Sequence, residues 1–427
     1  MLKFKEDFLH FIWKFQLFNV ESLATTRGEK ISILQTGIHN QNQGADFLQA
    51  AIRLGNNTFY GNIEIHIQNA DWYQHRHHLD TNYDNTILHV VYQMTDEIYT
   101  LNSKNHQIPI LCLAPYISPK TIENIDFLMS EKAKIPCHKI YQLPSKIHLQ
   151  QFKTRLFSER IIRKSAWIKD IILQNGNDYE SSFYQALLYG FGIKVNADIF
   201  FKLAHSLPQK ILARYIDDKF KLEALFYGQA NMLSNIDDYS TALTTEYRYL
   251  SQLHRIKPIE TSPLRSKMLP SSFPTIRLAQ FVALIYQQHG LFSKLTEFRT
   301  IDEIRGYFNI EVSDYWQKHY DFGKPNTKSK NATISASFFE KLLINVILPF
   351  KFLLEIELEK PTTPTIELYH RLKAEINHKT QIMTDYLGLE NKNAFDSQSL
   401  NEWFTYFCSE KKCFDCAIGY HTLKIDL

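Results

Sequence analysis

Asp46, Glu64 and His66, followed by His75 and His77, are the residues of this chain whose types and spacing could do chemistry. In extended backbone, side chains 46, 48, 50 and 52 share one face, and 62, 64, 66 and 68 share one face of the next run. If the two runs pair through the turn at Asn56-Asn57, the carboxylates of Asp46 and Glu64 approach each other. Two such groups repel unless one is protonated or a cation lies between them. Hard Mg²⁺ or Mn²⁺ prefers oxygen ligands, and metal-assisted hydrolysis uses such a site to activate water and neutralise a developing oxyanion. His66 is mostly neutral at pH 7, so it can bind a softer metal or act as a base. The polar face of this run has no Lys or Arg, and the following stretch adds Asp71, Trp72, His78, Asp80 and Tyr83. His75 and His77 lie near enough in sequence to share Zn²⁺ or Mn²⁺ with Glu64 or His66. The plainer alternative makes Glu64 and His66 the solvated face of an antiparallel strand, with Asp46 capping a turn. His89, inside the apolar run Ile87-Leu-His-Val-Val91, reads as a core histidine with a backbone partner.

A second group is Cys408-x4-Cys413-x2-Cys416, to which Cys137 could add a fourth thiolate. Soft thiolates suit Zn²⁺ or an iron–sulfur cluster; otherwise these are four reduced, buried thiols. Cys112 reads as a core residue. Arg155, Arg160, Arg163 and Lys164 recur with few acids on one long helical run. Such a face either follows a phosphate backbone or is simply solvated.

The elements that must position these groups follow from periodicity. A first helix is expected over residues 3–18, where Phe8, Leu9, Ile12, Trp13 and Phe15 recur at helical spacing and Glu6 and His10 line up with Trp13 and Leu17. Two β-prone runs around Arg27-Gly28 predict a hairpin over 23–37. A strand over 46–54 precedes one over 59–68, in which Ile63, Ile65 and Ile67 alternate with polar residues. The run 87–91 predicts a strand covered on both faces. This is an α+β N-terminal domain over residues 1–115, a mixed sheet with a helix-strand-strand-strand-helix-strand core. A linker containing Pro119, Pro136 and Pro144 follows over 116–145, and then a large, mostly α-helical domain over 146–427 that ends in the cysteine cluster. Helical spacing is clearest over 146–174, 181–189, 273–288 and 335–358.

The 427 residues are 44% hydrophobic and 14% aromatic, enough to bury a large core. A net charge of +3 permits a nucleic-acid partner without requiring one. Lys3, Lys5, Glu6, Asp7, His10 and Lys14 interrupt the apolar N-terminal stretch, and nowhere do roughly 18 apolar residues run together. The expectation is a cytoplasmic protein with no signal peptide and no membrane partner. Five cysteines, three of them near the C-terminus, fit a reducing compartment better than a disulfide framework.

Gly44-Ala45-Asp46-Phe47 followed by Glu64-Ile65-His66, in this order of elements, resembles the restriction-endonuclease-like PD-(D/E)XK nuclease superfamily. The resemblance implies that Asp46 and Glu64 bind Mg²⁺ or Mn²⁺ and that Glu6 completes the site from the first helix. It also puts His66 where the superfamily has Lys, and Ala45 where it has Pro. More narrowly, GADF, GNIEIH, ADWYQHRH, LHVVY and the closing cysteine segment resemble an uncharacterised bacterial family known only as a domain of unknown function. That likeness supplies no activity. The expected function is metal-dependent, nuclease-like phosphodiester hydrolysis on DNA or RNA. The alternatives are a non-catalytic adaptor that binds nucleic acid or protein through a degenerate nuclease fold, and a Zn²⁺-type hydrolase built on His66, His75 and His77.

Overall fold

A computed structural model describes residues 6–40, 42–95, 99–265, 268–288, 290–326 and 332–424. The architecture is α+β in the N-terminal part and mostly helical beyond it. The chain forms two compact units: residues 1–153 with 378–389 and 401–427, and residues 154–377 with 390–400. The cysteine segment therefore groups with the N-terminal sheet, across more than 250 intervening residues of sequence.

The first unit opens with α1 (Glu6–Phe15), whose Phe8, Leu9, Phe11, Ile12 and Trp13 are buried. Residues 3–5 of the expected helix lie outside the described residues. The strands are β1 (Ile31–Gln35), β2 (Ile38–His39), β3 (Phe47–Leu54), β4 (Asn57–Gln68) and, after the short α2 (Asp71–Gln74), β5 (Thr86–Gln93). A small ribbon, β6 (Thr100–Leu101) with β7 (Gln107–Ile108), precedes β8 (Ile110–Cys112), and α3 (Pro119–Ser130) follows. The main sheet runs β1-β3-β4-β5-β8, with β2 also on β3. β1 and β4 each run antiparallel to β3 between them, while β4, β5 and β8 are parallel. Central β5 is buried almost throughout, as its continuous apolar run requires.

Two local expectations change. The hairpin at Arg27-Gly28 shrinks to a turn with a single bridge between Ala24 and Lys30, because the second arm, β1, instead pairs along β3. The strict alternation expected from Asp46 through Ile52 is broken at Gln49, which has a left-handed φ of 56°. Register there passes from Phe47↔Ile63 to Ala50↔Gly61, a bulge of one extra residue that detaches Asp46 from the face of residues 50 and 52.

The second unit begins within α4 (Lys146–Gln174), whose bounds match the expected helix. The expected helices over 181–189 and 273–288 form as Tyr179–Phe191 and Pro274–Gln287. That over 335–358 forms as Ala336–Leu342 and Leu348–Glu357 joined through a π-turn. Their apolar faces, including Phe191, Phe281 and Leu348, share one core. Within it Lys351 and Glu355 form a fully buried ion pair at 2.8 Å, and Thr365 donates to the second Glu355 oxygen. No helix among the described residues is long and apolar enough to cross a membrane.

Candidate metal centre

Asp46 and Glu64 come together as their sequence spacing suggests, clamped by each other's strands. The Asp46 backbone N–H donates to Glu64 Oε2 at 3.0 Å, and the Ile65 N–H donates to Asp46 Oδ2 at 2.9 Å. The bulge at Gln49 leaves Asp46 just ahead of β3, where both bonds can form. From α1, His10 Nε2 lies 3.2 Å from Asp46 Oδ2. Burial pushes the His10 pKa down, but the hydrogen bond and charge of Asp46, aided by Glu6 and Asp7, outweigh it and leave His10 raised. Glu6 is raised as well, mainly by burial, with Asp46 and Asp71 adding and His75 and His10 opposing.

The remaining oxygen, Glu64 Oε1, faces imidazoles: His77 Nε2 at 3.3 Å and His66 Nε2 at 3.6 Å. His75 Nδ1 lies 3.2 Å from the same His66 nitrogen. Local structure explains the convergence. Period two brings His66 to the same side of β4 as Glu64. The Gln68 N–H then donates to Asp71 Oδ2, starting α2 directly after the strand. Arg76 adopts a left-handed φ of 62°, which ends that turn and folds His77 back over the site. Trp72 is fully buried and pins α2 by donating from Nε1 to the Leu101 carbonyl, and the Tyr83 ring packs 3.9 Å from that of His77.

Behind His66 lies a relay. His66 Nδ1 is 2.9 Å from His89 Nε2, and His89 Nδ1 is 2.8 Å from Thr100 Oγ1. His89 is in the core, but its partners are these two side chains rather than the backbone. When the protons run from His66 through His89 to Thr100, His66 Nε2 is left with a bare lone pair, the form a ligand needs.

Burial dominates the electrostatics. It drives the His66 pKa down to about 2, with His89, His77 and His75 contributing, and drives His89 down to about 3. His77 falls to about 4 for the same first reason, followed by the field of His75. Glu64 is pushed far above the ordinary carboxylate range, by burial and then by Asp46. Near pH 7 the Glu64–His77 contact is therefore a neutral hydrogen bond rather than an ion pair. A buried carboxylic acid facing imidazoles that burial keeps neutral, His66 and His77, is an arrangement whose proton a bound cation would displace.

The ligand atoms of His66, His75 and His77 lie within 4.8 Å of one another. Three converging imidazoles suit Zn²⁺, Mn²⁺ or another transition ion; they do not suit Mg²⁺, which prefers oxygen donors. Asp46 Oδ2 is already engaged by Ile65 and His10, and Glu64 Oε2 by Asp46. Of the two Glu64 oxygens, Oε1 is the one that faces the histidines.

The cysteines Cys137, Cys408, Cys413 and Cys416 meet elsewhere in the same unit, around a small cavity. Three of the four basic residues singled out on α4 have partners in the second unit. Arg155 Nε donates to Glu159, Arg160 Nε to Gln398 Oε1, and Lys164 Nζ to Asn345 Oδ1 and Gln398 Oε1. Arg163 also has a partner. These contacts give no support to a phosphate-binding role for the four residues. His10, His89 and Thr100 join the site without having been singled out as functional. The one available signal was His10, in helical register with Glu6.

A family model described as Protein of unknown function (DUF2851) matches residues 6–378. No curated protein and no solved structure matches the chain significantly.

Proposed function

The chain belongs to the family described as Protein of unknown function (DUF2851), and from that premise we propose that it is a transition-metal-dependent hydrolase acting on phosphodiesters of DNA or RNA. The observation that carries the reading is the convergence of His66, His75 and His77 within 4.8 Å beside the one oxygen of buried Glu64 that no backbone group occupies. Zn²⁺ or Mn²⁺ held there would polarise a phosphoryl oxygen and lower the pKa of a bound water. The chain's own groups then have distinct roles. His66, braced by His89, keeps a lone pair on the metal side. His10, whose hold on a proton Asp46 strengthens, is the candidate to donate to a leaving oxygen. Glu6, whose pKa burial raises, is the candidate to accept a proton from water. The substrate class rests on the likeness of the Asp46–Glu64 arrangement and its element order to metal-dependent nucleases, and the donor set shifts the metal from Mg²⁺ toward Zn²⁺ or Mn²⁺.

The test is cleavage of single- and double-stranded DNA and RNA with Mn²⁺ or Zn²⁺, repeated with chelator. Expected is turnover abolished by chelator, by Glu64→Gln and by His75→Ala. Binding without turnover, indifferent to chelator, would instead make the protein an adaptor. Cleavage that survives both substitutions would sink the assignment.

A further inference from the structure

We propose that Cys137, Cys408, Cys413 and Cys416 form a second, four-thiolate centre for a soft, thiophilic metal, separate from the histidine site. Each is less than a tenth exposed, and none is in a disulfide. They come from three places in the chain. Cys137 lies in the turn whose carbonyl accepts from the Ile140 and Tyr141 N–H groups. Cys408 closes the π-turn Phe404–Cys408, and Cys413 and Cys416 occupy the turn before the helix Ala417–Lys424. All four line one small cavity together with Trp403 and Phe407. Four thiols from distant segments seldom converge in a reduced interior for packing alone, since any small apolar side chain would fill the space.

The surroundings of Cys416 carry the argument further. Trp403 Nε1 donates to Cys416 Sγ at 3.2 Å. An indole N–H aimed at a buried sulfur suits a metal thiolate, which accepts hydrogen bonds well, better than a thiol, a weak acceptor. The turn is built for that approach: a side chain at Gly419 would bring its Cβ to 2.0 Å from the Cys413 carbonyl oxygen, so only glycine lets the chain pass. Lys411 Nζ fixes the same loop to the Met129 carbonyl at the end of α3.

Among the described residues the three-ligand group within 4.8 Å is the histidine one, so the sulfurs stand more widely. Tetrahedral zinc thiolate, with Zn–S of about 2.3 Å, holds its sulfurs about 3.8 Å apart. A single zinc ion would therefore draw the four inward, whereas an iron–sulfur cluster takes a wider spacing; inorganic sulfide tells the two apart. Either centre braces the helix that supplies Glu6 and His10. The Phe414 ring, between the last two cysteines, lies 4.8 Å from that of Phe11, and Tyr420 lies 4.7 Å from Phe15.

The test is elemental analysis of the full chain, purified without chelator or oxygen, for zinc, iron and acid-labile sulfide. A His75→Ala/His77→Ala variant serves to remove the other site. Expected in that variant is about one zinc per chain, or iron with a matching amount of sulfide, and the same centre is retained in Cys112→Ser. Cys413→Ser/Cys416→Ser should lose it. As a readout that needs no substitution at the cysteines, cobalt added to metal-free protein should give a sulfur-to-cobalt charge-transfer band. Neither zinc nor iron above background together with no such band would overturn the proposal, as would a metal content unchanged in the double cysteine variant.

Discussion

At the scale of single residues, the site turns on His66, which has two nitrogens with two different neighbours. Nε2 faces Glu64 and His75, and Nδ1 faces His89. If His89 fixes the His66 tautomer, His89→Phe should keep the core filled and weaken zinc binding by roughly 10- to 100-fold, the usual effect of losing a hydrogen-bond partner behind a ligand. Competition with a chromophoric chelator measures it, and unchanged affinity would reduce His89 to a packing residue. Period two in β4 made Glu64 and His66 legible in the sequence, and the resemblance of Gly44-Ala45-Asp46-Phe47 with Glu64-Ile65-His66 to a nuclease motif pointed to Asp46. His89 was hidden because an imidazole in an apolar strand looks the same whether its partner is a carbonyl or another histidine.

The elements hold these residues at close tolerance. Where β4 passes β5, a Cβ on Gly61 would sit 2.5 Å from both the Asn85 carbonyl oxygen and Ile87 Cγ2. Gly61→Ala must push the strands apart, so we expect a loss of about 1–3 kcal/mol in denaturant unfolding. Weaker metal binding should accompany it, because β4 carries Glu64 and His66. In the second unit, Asp237 caps the helix Asp238–His254, accepting from the Ser240 N–H at 2.8 Å, and it also accepts from the Gly323 N–H and the Tyr315 hydroxyl. Burial raises its pKa, but these hydrogen bonds overcome that and bring it from 3.8 down to about 2. A carboxylate with a lowered folded pKa stabilises fully above its unfolded value and loses that contribution as pH falls through the folded one. Asp237→Ala should therefore cost about 1 kcal/mol near neutral pH. The gap to the parent should close between pH 4 and 2 in thermal melts, and a constant gap would mean the carboxylate charge is irrelevant. The long helices were legible because their apolar spacing runs for many turns. The bulge at Gln49 and the left-handed Arg76 were not, since both place a non-glycine residue where sequence preference gives no sign.

For the whole molecule, the sequence shows a sheet-forming start and a helical remainder but not that the chain returns to its beginning. Residues 401–427 belong to the compact unit of the N-terminal sheet, and that closure depends on side chains far apart in sequence, which periodicity cannot report. Trp403 is fully buried there and Phe407, Cys413 and Cys416 nearly so, while Phe414 and Tyr420 stack against α1. Truncating one buried aromatic costs about 3–5 kcal/mol, against a total stability of about 5–15 kcal/mol for a typical folded protein. Deleting 401–427 should thus leave the N-terminal sheet without a cooperative unfolding transition, rather than trimming a dispensable tail. Near-ultraviolet circular dichroism should lose its aromatic fine structure, and a hydrophobic dye should bind the uncovered Phe8 and Phe11. The fragment should also hold zinc poorly at the histidine site, because α1 carries Glu6 and His10 and would no longer be seated. A fragment ending at residue 400 that melts as sharply as the full chain and keeps its metal would show that the first unit closes without its last segment.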